Sequence, residues 1–133
     1  LTEELKEELK YLAAADPLRC ETSLLIHPHV LGDFLDYNQF LDQADAAVAA
    51  LGLEGELQIA SFHPAYQFAG SASNDVENFS NRSPYPMLHL LRESSVRRAT
   101  ATFPGVNEIG DRNTATLRAL GAAGFRKLLN AER

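Results

Sequence analysis

Apolar positions along this chain change their period several times, and each change predicts an element. Leu1, Leu5, Leu9 and Leu12 recur at helical spacing with Glu and Lys between them, which predicts an amphipathic helix that ends near Asp16-Pro17 and covers one face of a core. Two apolar runs then end in the same dipeptide: Ser23-Leu24-Leu25-Ile26-His27-Pro28 and Leu57-Gln58-Ile59-Ala60-Ser61-Phe62-His63-Pro64. Each predicts a buried strand, near 22–27 and 57–63, halted by a proline that lacks the N–H a ladder needs and biases its predecessor toward extended backbone. Between them Phe40, Leu41, Ala44, Val48 and Leu51 share one side of a helix, with Asn38 suited to its N-cap and Gly52 to its C′ stop. About thirty residues with one helix is the length of a βαβ crossover, so the two strands are expected to run parallel, adjacent or one apart. Both histidines then leave the sheet at its carboxyl edge, where open α/β sheets bind ligands.

Residues 65–82, about eighteen of them, show neither period. A loop of that length in a compact domain is usually functional or disordered, and Tyr66, Phe68 and Phe79 can anchor this one. Ser83-Pro84-Tyr85-Pro86 predicts the start of a helix reaching about Thr102, with serine as cap and both prolines in the first turn. A last helix is predicted from near Asn107 toward Asn130, with Ile109, Leu117, Leu120 and Leu128 inward and Gly121 and Gly124 permitting close packing. The expected architecture is a single α/β domain over residues 1–133, a small, mainly parallel sheet flanked by helices.

Composition narrows the partners. The 133 residues, 45% hydrophobic, suit one core. A net charge of −6 with scattered Lys and Arg opposes nucleic-acid binding, because phosphate backbones select basic faces. No apolar stretch approaches a membrane span and Leu1-Thr2-Glu3-Glu4-Leu5-Lys6 is unlike a signal peptide, so a soluble cytoplasmic protein is expected. The lone Cys20 excludes an internal disulfide framework, fits a reducing compartment and receives no catalytic role. The absence of an initiator Met leads us to expect an upstream segment, and nothing in the pattern sets an oligomeric state.

Three groups of side chains could carry chemistry. On the predicted helix after residue 83, His89 and Glu93 stack at i and i+4. With His27 and His63 they supply three nitrogens and one oxygen, a set suited to Zn²⁺ or a similar divalent ion. If three of them bound the metal, a bound water could be the nucleophile and the fourth residue its base. Without a metal, the same His27, His63 and His89 could act as acid or base. The competing reading is that His-Pro imidazoles hydrogen-bond loop backbone, while Glu93 faces water or pairs with Arg97. His29 reads as a surface or capping imidazole. The second group, Asn81-Arg82-Ser83-Pro84-Tyr85-Pro86, lies at the predicted helix N-terminus, a place that favours anions. Arg82 could grip a carboxylate or phosphate, Asn81 and Ser83 could add hydrogen bonds, and Tyr85 could be a donor or general acid. Alternatively Asn81 and Ser83 cap the helix while Arg82 ties the long loop to Asp75 or Glu77. The third group is Asp33, Asp36, Tyr37 and Asn38 after the first strand, with Tyr66 and Gln67 after the second, all directed toward the same edge. Tyr37 and Tyr66 are its candidate ligand-binding residues, although Asp33 and Asp36 also suit a helix first turn and Tyr66 also suits packing. No nucleophile elbow, P-loop, dinucleotide fingerprint, zinc-finger pair or EF-hand loop occurs.

The phrases Leu24-Leu25-Ile26-His27-Pro28, Asp33-Phe34-Leu35-Asp36-Tyr37-Asn38, Ala60-Ser61-Phe62-His63-Pro64 and Asn81 through Glu93 resemble the bacterial domain-of-unknown-function 1415 family, over about residues 22–120. The resemblance implies an upstream segment with a helix, a Cys-Pro-Phe phrase and a further strand, and it implies no activity. From the residues, the leading expectation is an enzyme acting on a small anionic metabolite in a polar cleft at the carboxyl edge. The alternatives are a non-catalytic ligand-binding or protein-interaction module, in which the polar cluster is satisfied internally, and a protein with a structural metal site.

Overall fold

The computed structural model describes residues 1–131. The first helix, α1 (Thr2–Ala14), buries Leu5, Leu9 and Leu12 completely, as the leucine spacing requires. Strand β1 (Ser23–Ile26) leads to helix α2 (Phe34–Ala50), and strand β2 (Leu57–Phe62) follows. The helix starts four residues before Asn38, because Asp33 is the cap: its carboxylate accepts from the N–H groups of Leu35 and Asp36 at 2.8 and 3.2 Å. At the other end Gly52, at φ 70, closes the helix with bonds from Gly52 N to Ala49 O and from Leu53 N to Val48 O, the Schellman arrangement.

Strand β3 (Met87–Arg92) and helix α3 (Glu93–Thr102) occupy the stretch expected to be one helix. This corrects the fold. The sheet order is β1-β3-β2, and β3 is antiparallel to both neighbours. β1 and β2 do run in the same sense one position apart, but they share no ladder, and a mainly parallel sheet is not formed. The gap left by the β1-α2-β2 crossover is filled from the other direction by the last strand. Pro84 and Pro86 hold the approach extended, and Leu88, Leu90 and Arg92 then alternate into the core while Met87, His89 and Leu91 take the other face.

The core lies between α1, α2 and one face of the sheet: Leu5, Leu9 and Leu12 meet Tyr37, Phe40, Ala44, Ala47, Val48, Leu57, Leu88 and Leu90. Each leucine so buried contributes roughly 2 kcal/mol of transfer free energy. On the opposite face, at the β1 edge, Leu24 and Ile26 remain 54% and 49% exposed. Arg92 is the charged exception in the core. Its Nη2 donates to the carbonyls of Leu12, Ala15 and Cys20 at 2.8, 3.2 and 2.7 Å, which satisfies the end of α1 that no basic residue of its own serves.

The long loop is ordered. A 3₁₀ helix (Val76–Asn81) lies within it, and the last helix, α4 (Ile109–Ala131), packs mainly on that turn. α4 is broken at Gly121, with φ 73 and ψ 168. Ile109, Leu120 and Leu128, expected inward, are exposed, because α4 rests on the loop through Leu117 and Phe125 and not on the sheet. No helix among the described residues is long and apolar enough to cross a membrane.

Candidate functional site

Both strands that end in His-Pro finish opposite one residue, Met87, which pairs with Ile26 on one side and Phe62 on the other. Tyr37, fully buried on the first turn of α2, closes that end of the sheet. Its hydroxyl donates to Met87 O at 2.6 Å and accepts from Phe62 N–H at 3.0 Å. Burial pushes its pKa up to about 12, so it stays a neutral phenol with both roles occupied. His63 is packed against Tyr37 and Phe34, with centroids 4.9 and 5.3 Å apart. Its Nδ1 accepts from Ala65 N–H at 2.9 Å, so the proton lies on Nε2, which donates to Leu31 O at 2.9 Å. That bond fastens Leu31, a non-glycine residue at φ 59, into the turn before α2. Tyr37 and His63 therefore hold backbone, and neither presents a free polar atom to a ligand.

The Asn81-Arg82-Ser83 cluster does not sit at a helix N-terminus, since β3 follows it. Asn81 Nδ2 donates to Ser61 O at 3.0 Å, and Ser83, 7% exposed, donates to Tyr85 O at 2.6 Å. Arg82 ties down the long loop as the alternative reading expected, but through carbonyls instead of an acid: Nε donates to Tyr66 O at 3.0 Å and Nη2 to Ser73 O. Its guanidinium carbon lies 5.0 Å from the centre of the Phe79 ring. None of the ion pairs among the described residues includes Arg82, and its Nη1 has no hydrogen bond there. Burial lowers its pKa, yet a guanidinium stays charged at any ordinary pH. Arg82 lines a cleft of about 550 Å³ with Asp33, Phe34, Pro64, Gln67 and Ser73. Tyr66 stands beside it, its ring 5.4 Å from Phe34 and its hydroxyl within 3.4 Å of Ser61 Oγ. Tyr85 is exposed at the other end of the segment.

The proposed metal ligands are dispersed. His27 and His63 lie at the Met87 end of the sheet, His89 is in β3 paired with Leu24 and Ala60, and Glu93 opens α3 beyond Arg92. Met87 and Arg92 are roughly 17 Å apart along an extended strand. The helical i, i+4 stacking of His89 and Glu93 is absent because His89 belongs to a strand. Among the described residues no group of three or more His, Cys, Asp or Glu could hold a metal ion. His89 Nε2 lies 2.7 Å from Thr22 Oγ1, whose single proton goes to Leu90 O at 2.6 Å, so the imidazole must be the donor. His27 is 5% exposed and its Nε2 is buried with no hydrogen-bond partner among the described residues. Burial lowers the pKa of both His27 and His89, with Glu4 opposing the effect at His27.

Asn78 and Phe125, which the sequence reading did not single out, complete the site, and Asp75 serves the loop backbone instead of Arg82. Asn78, fully buried, accepts from Phe68 N–H and Ser71 Oγ at 2.8 and 3.0 Å and donates to Ala72 O at 2.8 Å. Asp75 accepts from Ala72 N–H at 2.8 Å. Together they shape residues 68–78 into a wall. The only sequence signal for Asn78 was a polar side chain inside an aperiodic stretch, which marks any loop. Phe125, whose ring stacks on Phe79 at 4.9 Å, was legible by spacing, since it lies eight residues after Leu117 and three before Leu128 on the same helical stripe.

A three-stranded antiparallel sheet under two helices, with an arginine-lined cleft beside the ends of the strands, defines a small mixed α/β domain built on a split β-α-β unit. The family described as protein of unknown function (DUF1415) matches residues 1–127, and the chain belongs to that family. No curated protein and no solved structure matches the chain.

Proposed function

We propose that this domain is a non-catalytic binding module for a small organic anion anchored on Arg82. The observation that carries the reading is the unbalanced charge of that arginine: carbonyl oxygens and a ring face surround it, no carboxylate among the described residues pairs with it, and its Nη1 is left for a ligand. An anion in the cleft would receive a charge-assisted hydrogen bond there, about twice as strong as a neutral one. Asp33 also lines the cleft, with its Oδ1 held by the N–H groups of Leu35 and Asp36 at the positive end of α2. Binding is favoured over turnover because, of the four groups expected to perform chemistry, His63 has both nitrogens engaged with backbone and none of His27, His89 and Tyr85 lines the cleft, while the Tyr37 hydroxyl and the side chains of Asn81 and Ser83 also hold backbone.

The test is a titration of ¹⁵N-labelled protein with sodium acetate and with inorganic phosphate at constant ionic strength, following the Arg82 Nε–H and the amides of Gln67 and Ser73. A saturable shift confined to these groups, lost in Arg82→Gln while the β-sheet amides stay in place, is the expected result. Unmoved resonances with both anions would sink the proposal.

A further inference from the structure

Arg82 lines a second cavity, of about 400 Å³, between the 3₁₀ turn and α4, together with Phe79, Ser80, Asn113, Thr116, Leu117 and Phe125. That volume lies within the usual range for small-molecule pockets, which are mostly apolar with a few placed polar groups. Here Phe79, Phe125 and Leu117 give the apolar walls. Asn113 and Thr116, three residues apart on α4, share one helical face, and their side chains make no hydrogen bond among the described residues. Phe79 and Phe125 are stacked with 18° between their planes, so a third flat ring entering the chamber would meet their edges, a favourable aromatic geometry. At the other end, a neighbouring recess shares Ser80, Asn113 and Leu117 with the chamber and contains Glu77 and Asp111. A ligand carrying one negative charge would therefore be oriented, its anionic end at Arg82 and away from the two acids.

From this the geometry points to an aromatic carboxylate as the ligand class, with its carboxylate on Arg82 and its ring in the chamber between Phe79, Leu117 and Phe125. The inference rests on Arg82 as anion anchor and adds where the rest of the ligand lies. It also gives α4 a task. A helix that rests on the loop through Leu117 and the Phe79–Phe125 stack becomes one wall of the binding chamber, and ligand would hold that wall in place.

Calorimetric titration of the full chain with benzoate, acetate and benzamide separates ring from charge. Benzoate is expected to bind on the order of tenfold more tightly than acetate, as burial of one ring implies, and benzamide, which lacks the charge, is expected to bind more weakly than benzoate. Phe125→Ala should erase the advantage of benzoate over acetate without weakening acetate. Leu117→Asn, at a half-buried position, should do the same and serves as a second reading should the first variant fold poorly. Equal affinities for benzoate and acetate in the unmodified chain, or a benzoate advantage that survives in Leu117→Asn, would overturn the chamber and leave the anion anchor standing. No binding of either carboxylate would overturn both.

Discussion

Tyr37→Phe deletes one oxygen and leaves the Met87 carbonyl and the Phe62 N–H without their partner at the end of the sheet. The ring stays, so the core volume is kept, and the expected loss is about 2 kcal/mol of unfolding free energy in urea titrations, set by two stranded backbone groups. A loss under a few tenths would mean that water replaces the hydroxyl. The histidines give a second prediction at this scale. His27 and His89 have pKa values lowered by burial, below the ordinary 6.5. The unfolded chain therefore takes up these protons first on acidification. The stability associated with the two neutral imidazoles is fully present above about pH 6.5 and is lost as pH falls from there toward their folded-state values. Urea midpoints at pH 7.5 and pH 5.5 should differ in that direction, and His89→Gln should reduce the difference. At this scale the sequence was legible as to place and silent as to use. Tyr37, His63 and Arg82 all stand at one end of the sheet; the repeated His-Pro phrase pointed there for the histidine, whereas Arg82 was expected at a helix N-terminus that does not form. Whether a polar side chain serves a ligand or its own backbone depends on carbonyls and N–H groups many residues away, such as Leu31 O for His63, and no local pattern records them.

α1, α2 and β3 show why the sheet was misread while the first two helices were not. α1 and α2 bury one stripe each, so their period of 3.6 survives in the leucines and alanines. Met87-Leu88-His89-Leu90-Leu91-Arg92 is a central strand, and a central strand with an apolar outer face loses the clean alternation that distinguishes it from a helix. Its Leu, Met and Arg even favour helix by propensity. Pairing on both sides overrides that preference, which is a property of the tertiary context. Arg92 added to the confusion as a charge on the buried face. Its task is to close α1, and Arg92→Met should cost about 3 kcal/mol or more, because carbonyls at Leu12, Ala15 and Cys20 lose their donor. Hydrogen exchange would show the loss first in the last turn of α1. In α4, Gly121 occupies a φ, ψ region open almost only to glycine. Gly121→Ala should cost about 1–3 kcal/mol locally or straighten the helix, and in either case move Phe125 off Phe79, which a crystal structure or ring-current shifts of the Phe79 protons would reveal.

For the whole molecule, the layered part and the appended part differ in how they are held. α1, α2 and the sheet share one apolar core, whereas the loop segment is tied to the end of β2 through Asn81, whose Nδ2 donates to Ser61 O and whose carbonyl accepts from His63 N–H, and α4 is held on that loop by the Phe79–Phe125 stack and Leu117. Local opening should begin in α4 well below the global unfolding free energy. Amide exchange is the measurement: protection in β3 equal to that in α4 would contradict this division. One feature of the topology also bears on how the chain is made. The strand at the centre of the sheet is the last of the three to leave the ribosome, so β1 and β2 must wait, both edges unpaired, until residue 92 has been synthesised. During that interval two apolar strands are available to bind the wrong partner. A nascent chain arrested before Met87 should hold α1 and α2 at most, bind holdase chaperones, and acquire protease resistance only when elongation carries β3 clear of the exit tunnel.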